Sequence, residues 1–277
     1  MKEVMGHSKN RASRGFPISF VKKATPWILL IGLIPVFGKE LQHYRVLHKT
    51  FSEDILDLQN YVFVTAPKGQ RKNFDLPDGT KVWLNAASTL KYPRDMRTGE
   101  RTVEISGEAF FDVVHNASRA FKVHAKDVEV EVLGTRFNVR NYPEETICRT
   151  SVIDGQVKVE HVDSTVNLRS GEEAVIDISE VTGSKMSKRS LVDSESAMEW
   201  TKGMIQFEGD DFKTVLLVLS RTFDIDIQLD GVLPPGKFVG TFSINESPED
   251  IVKRLDFRGL HISISKKSKK RMIITLR

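Results

Sequence analysis

A single cysteine, Cys148, stands in the 277 residues. One thiol excludes an intrachain disulfide framework and a cysteine-based zinc site within one chain. It leaves the compartment open, since an exported protein needs no disulfide. Nucleotide and hydrolase signatures are missing too: the chain has no GxxxxGK[ST], no GxGxxG after a strand, no HExxH and no GxSxG. The seven histidines form no HxH or HxxxH pair. His43 and His48 are wrongly spaced for one helix face, and His115 and His124 could meet only across neighbouring strands, two imidazoles without a third ligand. No metal site, cofactor or enzymic activity is therefore expected. An excess of one charge is also lacking. The net charge is +4, concentrated in Lys2, Lys9, Arg11, Arg14, Lys22 and Lys23 and in the knot KKSKKR at 266–271. The remainder is balanced, so a pI near 9.0 is no nucleic-acid signature.

Long apolar runs are absent as well. The nearest approach is TPWILLIGLIPVFGKE at 25–40. Ala24 to Gly38 carries no charge, yet as a helix this stretch spans only about 22 Å, short of a hydrocarbon core of roughly 30 Å. It also contains Pro26 and Pro35. A basic lead-in fits either a signal peptide cut near Gly38 or an uncleaved anchor with its N-terminus in the cytoplasm. The anchor over 24–38 is the reading adopted, with Lys22, Lys23 and Lys39 snorkelling. A buried helix is disfavoured, because no polar face exists. On either leading reading, residues 39–277 are exported.

What is present in abundance, from Tyr61 to Ser179, is strand. Val82 and Leu84 oppose Trp83; Val103 and Ile105 alternate with Glu104 and Ser106; Val128, Val130 and Val132 alternate with Glu129 and Glu131; Val157, Val159 and His161 share a face. Period two with one apolar face marks half-buried strands. Asp78-Gly79 and Asp154-Gly155 are tight-turn dipeptides. Phe110 and Phe111 are expected on opposite faces of one strand, as in a layered fold. Asn85 and Ser88 are expected to bind turn backbone. Glu104, Glu108 and Asp112 fall on one face by alternation and are expected to meet solvent, which disfavours a glycosidase pair. The domain is predicted to be all-β, a sandwich or a short solenoid.

After a polar joint at 180–198 the pattern becomes mixed. GMIQFEG reads as a strand, and Phe212, Val215, Leu216, Leu219 and Phe223 share a helix face capped by Asp211. DIDIQL and FVGTFSI are further strands. Ser247, Pro248 and Asp250 open a second helix in capping-box form. LHISIS and RMIITL form a hairpin whose turn is the basic knot. The expectation is two similar halves with helices on one side of a small sheet.

The segments LPDGTKVWLNAASTLKYP (76–93), RTVEISGEAFFDVVHN (101–116), FKVHAKDVEVEVLGTRFNVRNY (121–142), DGQVKVE (154–160) and LRSGEEAVI (168–176) resemble the periplasmic domain of FecR-type anti-sigma regulators. The layout is similar to Bacteroidetes-type members, and the C-terminal part resembles the short N-terminal signalling domain of secretins and TonB-dependent receptors (STN). The resemblance implies a single-pass protein of the inner membrane with its bulk in the periplasm. The implied partners are an outer-membrane TonB-dependent receptor and an extracytoplasmic-function sigma factor in the cytoplasm, with no small-molecule cofactor. It also makes Gly134-Thr135 a candidate for self-cleavage, in which the Thr135 hydroxyl attacks the preceding carbonyl. A departure stands at the N-terminus. Residues 1–23 are too polar and too short for the helical sigma-binding module usual in the family. The expected organisation is a cytoplasmic tail at 1–23, an anchor at 24–38, a linker at 39–60, the FecR-like domain at 61–179, a linker at 180–198 and an STN-like α+β domain at 199–277. Lys266, Lys267, Lys269, Lys270 and Arg271 are the candidate partner surface. The alternative is an exported envelope-binding or structural protein without transcriptional output.

Overall fold

The structure, a computed structural model, describes residues 59–179, 185–233, 235–255, 262–268 and 270–276. The expected tail and anchor lie outside the described residues. Among those described, no helix is long and apolar enough to cross a membrane. Contacts divide the chain into residues 1–59 and 60–277. The second unit holds both the β domain and the C-terminal domain.

Thirteen strands build the β domain: β1 (Tyr61–Ala66), β2 (Lys72–Asp75), β3 (Lys81–Leu84), β4 (Ser88–Pro93), β5 (Arg101–Asp112), β6 (Phe121–Ala125), β7 (Val128–Val132), β8 (Arg136–Asn141), β9 (Ile147–Asp154), β10 (Gln156–His161), β11 (Ser164–Arg169), β12 (Glu172–Asp177) and β13 (Met186–Ser190). They form two layers that share β5. Its first half pairs with β4 and, in parallel, with β6, leading on to β7, β10 and β11. Its second half pairs with β3 and β8, leading on to β2, β9, β12 and β13. The strand changes layer at Gly107, whose φ of +114° is open to glycine and strained for other residues. One continuous core lies between the layers, with Leu84, Val103, Phe111, Phe121, Val130, Phe137, Val152 and Ile176 all buried. The domain is mainly β, as expected, and its strands form one continuous sheet bent at β5 around that core.

Alternation explains most of this. Phe111 faces the core, where it lies 5.3 Å from the Phe137 ring, while Phe110 faces outward against Trp83 at 5.3 Å. The joint at 180–198 differs from expectation. It contains β13 and the start of a 3-10 helix, Ser194–Lys202. β13, with the sequence MSKRS, is a polar edge strand with no apolar face, so period two cannot reveal it.

The C-terminal domain comprises β14 (Met204–Asp210), α1 (Phe212–Phe223), β15 (Asp226–Asp230), β16 (Phe238–Ser243), α2 (Pro248–Arg254), β17 (Ile262–Ser268) and β18 (Arg271–Leu276). Asp211 caps α1 by accepting from Thr214 N at 2.8 Å, and Ser247 caps α2 by accepting from Asp250 N at 3.1 Å. In place of one small sheet there are two, β14–β16 and β15–β18–β17. Each half donates its strands to pairs with the other half, and both sheets and both helices enclose one core that includes Phe207, Leu219, Phe242, Ile251 and Ile274. The basic knot also differs from a simple turn: Lys266 and Lys267 belong to β17 and Arg271 opens β18.

Candidate functional site

The outward face of the second layer is where the domains meet. β5, β8 and β9 present Glu108, Asn138, Arg140, Arg149 and Ser151 there, and the 3-10 helix, β14 and α1 cover them, leaving a polar cavity of about 100 Å³. Glu108 therefore departs from the expectation that it meets solvent. It is 7% exposed, because the C-terminal domain roofs the outward face of the strand beyond Gly107.

A chain of hydrogen bonds runs along the floor. Arg71 Nε donates to Asn85 Oδ1 at 2.9 Å, and Asn85 Nδ2 donates to Glu108 Oε2 at 2.8 Å. Asn138 Nδ2 donates to Glu108 Oε1 at 3.0 Å and accepts, at Oδ1, from Trp200 Nε1 at 3.1 Å. Trp200 thus plugs the seam with its ring in the small apolar cluster of Phe110 and Ile153. Asn85 binds turn backbone as expected, accepting from Ala86 N, and Ser88 Oγ accepts from Glu108 N at 2.9 Å. Burial pushes the Arg71 guanidinium below its ordinary value, against the attraction of Glu108. The Tyr142 phenol is pushed well up by burial and by the charge of Glu108.

A charged latch closes one side. Arg221, on the last turn of α1, donates to Glu145 Oε1 at 2.6 Å and to Glu144 Oε1 at 2.7 Å, and its guanidinium lies 3.6 Å from the Tyr142 ring centre. Arg140 binds Glu145 through two nitrogens, at 2.9 and 2.8 Å. Gly69 N donates to the Arg221 carbonyl at 2.7 Å. Burial alone would raise the Glu145 carboxyl, but the two arginines outweigh it and hold the group below the usual carboxylate range. Across the cavity Arg149 reaches Asp210 at 3.3 Å. Sequence reading missed Arg71, Asn138, Trp200 and Arg221. Only Trp200, a tryptophan in a polar joint, carried a signal.

The residues expected to act lie elsewhere. Thr135 is 5% exposed; its hydroxyl donates to Gln156 O at 2.8 Å and accepts from Gln156 N at 3.4 Å. Gly134 is closed in by His115, whose Nδ1 would lie 2.6 Å from an added Cβ. Of the basic knot, Lys270 is exposed and pairs with Asp224 at 2.6 Å, and Arg271 is exposed. Lys269 lies outside the described residues. His124 is bound to Glu129 at 3.3 Å, and among the described residues no three metal-ligating side chains converge. Cys148 is buried, which pushes its thiol up to about 12.

Comparison with known proteins places this architecture. Two crystal structures, at 1.65 and 2.50 Å resolution, of a candidate anti-sigma factor from Parabacteroides distasonis ATCC 8503 superpose with a TM-score of 0.70 and 28% identity. The matches cover 77% and 78% of this chain and 98% of the other. No curated protein matches. The family described as FecR protein matches residues 62–158, and the one described as FecR, C-terminal, matches residues 204–274. With both matches in order, over most of the β domain and nearly all of the domain docked on it, the chain belongs to the FecR family.

Proposed function

We propose that this chain is a regulator that relays a signal from a TonB-dependent receptor of the outer membrane to an extracytoplasmic-function sigma factor. It would sit in the inner membrane through residues 24–38, with the FecR and C-terminal domains in the periplasm. The observation that carries the reading is the paired FecR match in the order β domain, then α+β domain. It is joined by likeness to a candidate anti-sigma factor along nearly all of that protein. Partner recognition falls to the periplasmic unit, where the exposed Arg271 offers positive charge to an acidic surface.

The test is a cross-linked pull-down of the C-terminally tagged, full-length protein from membranes, read by mass spectrometry. Recovery of both a sigma factor and a TonB-dependent receptor is expected. A receptor alone would remove the cytoplasmic half of the proposal. Neither partner would favour an exported envelope-binding protein instead.

The reading contains no enzymic step. Both hydrogen-bonding roles of the Thr135 hydroxyl are occupied by the Gln156 backbone, which supports a structural role at the strand junction. The purified protein is expected to show no break at Gly134-Thr135. A new N-terminus at Thr135, abolished in Thr135→Ala, would establish self-cleavage instead.

A further inference from the structure

An edge strand can take up another chain, and folded proteins guard such edges with charge, kinks or brevity. Among the described strands with a single neighbour, β2, β11, β13, β14, β15 and β17 each carry at least one charged side chain. β16 carries none, but Gly240 lies near its centre, which weakens a strand. β1, with the sequence YVFVTA, pairs with β4 alone and has no charge, proline or glycine. Phe63 is 48% exposed on its outward face, beside Tyr61 and Thr65. On the other face Val64 packs against the core. Apolar side chains thus stand on both faces of an unguarded edge.

The register shows which backbone groups are free. Arg94 N donates to Asn60 O at 2.8 Å, next to the Tyr61–Pro93 pair, where Pro93 has no N–H to give. Hydrogen-bonded and non-bonded pairs alternate along an antiparallel ladder. Val62 and Val64 are therefore bonded to β4, and Tyr61, Phe63 and Thr65 turn their N–H and C=O groups to the open edge. The same three residues carry the outward side chains.

We propose that β1 is a docking strand for a second copy of this chain, the two strands pairing antiparallel about a two-fold axis at Phe63. The strand is complementary to itself in that register. Tyr61 meets Thr65 of the second copy and Phe63 meets Phe63, so the free ladder groups are matched and the exposed ring gains an aromatic neighbour. On the inner face Val62 meets Val64 of the second copy, which continues the apolar core across the junction. Charge permits the pairing. Lys91, 4.4 Å from the Tyr61 ring centre, is matched by Glu104 at 3.2 Å. The two copies of Lys91 would stand about 14 Å apart over three strand spacings, beyond the screening length of about 8 Å. β3 and β4 line the same edge of β5, so β2 ends the other layer on the side of β1. It runs from Lys72 to Asp75, both exposed, and the axis turns it end for end, which sets unlike charges toward each other. A single strand pair is a small interface, so the dimer is weak and concentration-dependent. The inference rests on the edge itself and holds with or without a membrane anchor.

Sedimentation equilibrium of the full-length protein in density-matched detergent tests it. A monomer–dimer equilibrium is expected. Phe63→Lys and Phe63→Glu each place like charges on the axis and should weaken association roughly tenfold or more. An equimolar mixture of the two should restore it, because residue 63 faces itself. Thr65→Pro removes an N–H directed at the open edge, a position where an edge strand tolerates proline. It should weaken association to a similar degree while leaving the circular dichroism spectrum unchanged. Should that variant fail to fold, the charge mixture decides, since side chain 63 lies on the exposed face. A protein that stays monomeric at every concentration overturns the proposal. A dimer that persists in all three variants places the contact elsewhere, and one that the mixture does not restore rejects the register; each overturns it too.

Discussion

At the scale of single residues, Gly107 has the largest reach, because one φ angle lets β5 serve both layers. An added Cβ there would lie 2.2 Å from Ser88 Oγ. Ser88 cannot easily withdraw, since its Oγ accepts from the Glu108 backbone N–H at 2.9 Å. A side chain therefore meets both an unfavourable backbone angle, about 1 kcal/mol, and overpacking of about 1–3 kcal/mol. Gly107→Ala is expected to destabilise the protein by about 3 kcal/mol, read as a lower denaturant midpoint; an unchanged midpoint would refute the hinge role. Asp78 has a comparable local importance. Its carboxylate takes Arg101 Nε at 2.8 Å, both side chains being almost fully buried, and Arg101 also donates to the carbonyls of Val114 and Arg119. Asp78→Asn leaves a buried guanidinium without its counter-charge. A loss of about 3–5 kcal/mol is expected, and a loss under 1 kcal/mol in urea unfolding would show that the pair contributes little.

Among elements, the contact between the end of α1 and the turn after β8 carries the pH dependence. Glu145 has its folded pKa depressed by Arg140 and Arg221. The stability it confers is present above the ordinary glutamate pKa, about 4.3, and is lost as pH falls through the lower folded value. Thermal melts should therefore show stability falling as the pH drops below about 4.3, and Glu145→Gln should flatten that limb while lowering stability at pH 7. An acid limb of unchanged slope in the variant would assign it to other carboxylates. The latch also shows where sequence reading reaches its limit. Strands such as β7 and β10 were legible because each buries one face, and α1 was legible from its apolar stripe and its Asp211 cap. Arg221 lies off that stripe and reads as a solvated position; only the docked β domain makes it buried. Glu108 was misplaced for the same reason, as a second domain inverts the burial of an outward face without changing its alternation.

For the whole molecule, the question is why two domains with separate cores behave as one unit. Their seam is mostly polar, with ion pairs at Arg221 and Arg149 and a cavity between them, which is the composition of an interface that can open. Its main apolar content is the cluster of Trp200, Phe110 and Ile153, flanked by Trp83, Ala197 and Met198. Trp200 is 9% exposed and also binds Asn138, so it joins apolar burial to the hydrogen-bond chain of the floor. Truncating a buried tryptophan costs about 3–5 kcal/mol. Here that loss falls on the docking of the domains, because neither of the two main cores includes Trp200. The unaltered protein is expected to give one calorimetric transition for residues 60–277, and Trp200→Ala to give two. The gap between those two should widen in 1 M salt, where the exposed edge of the latch is screened. A single transition in the variant at both ionic strengths would mean that the polar bonds of the seam suffice to couple the domains. In that case an opening step would have to begin at Arg221 and not at Trp200.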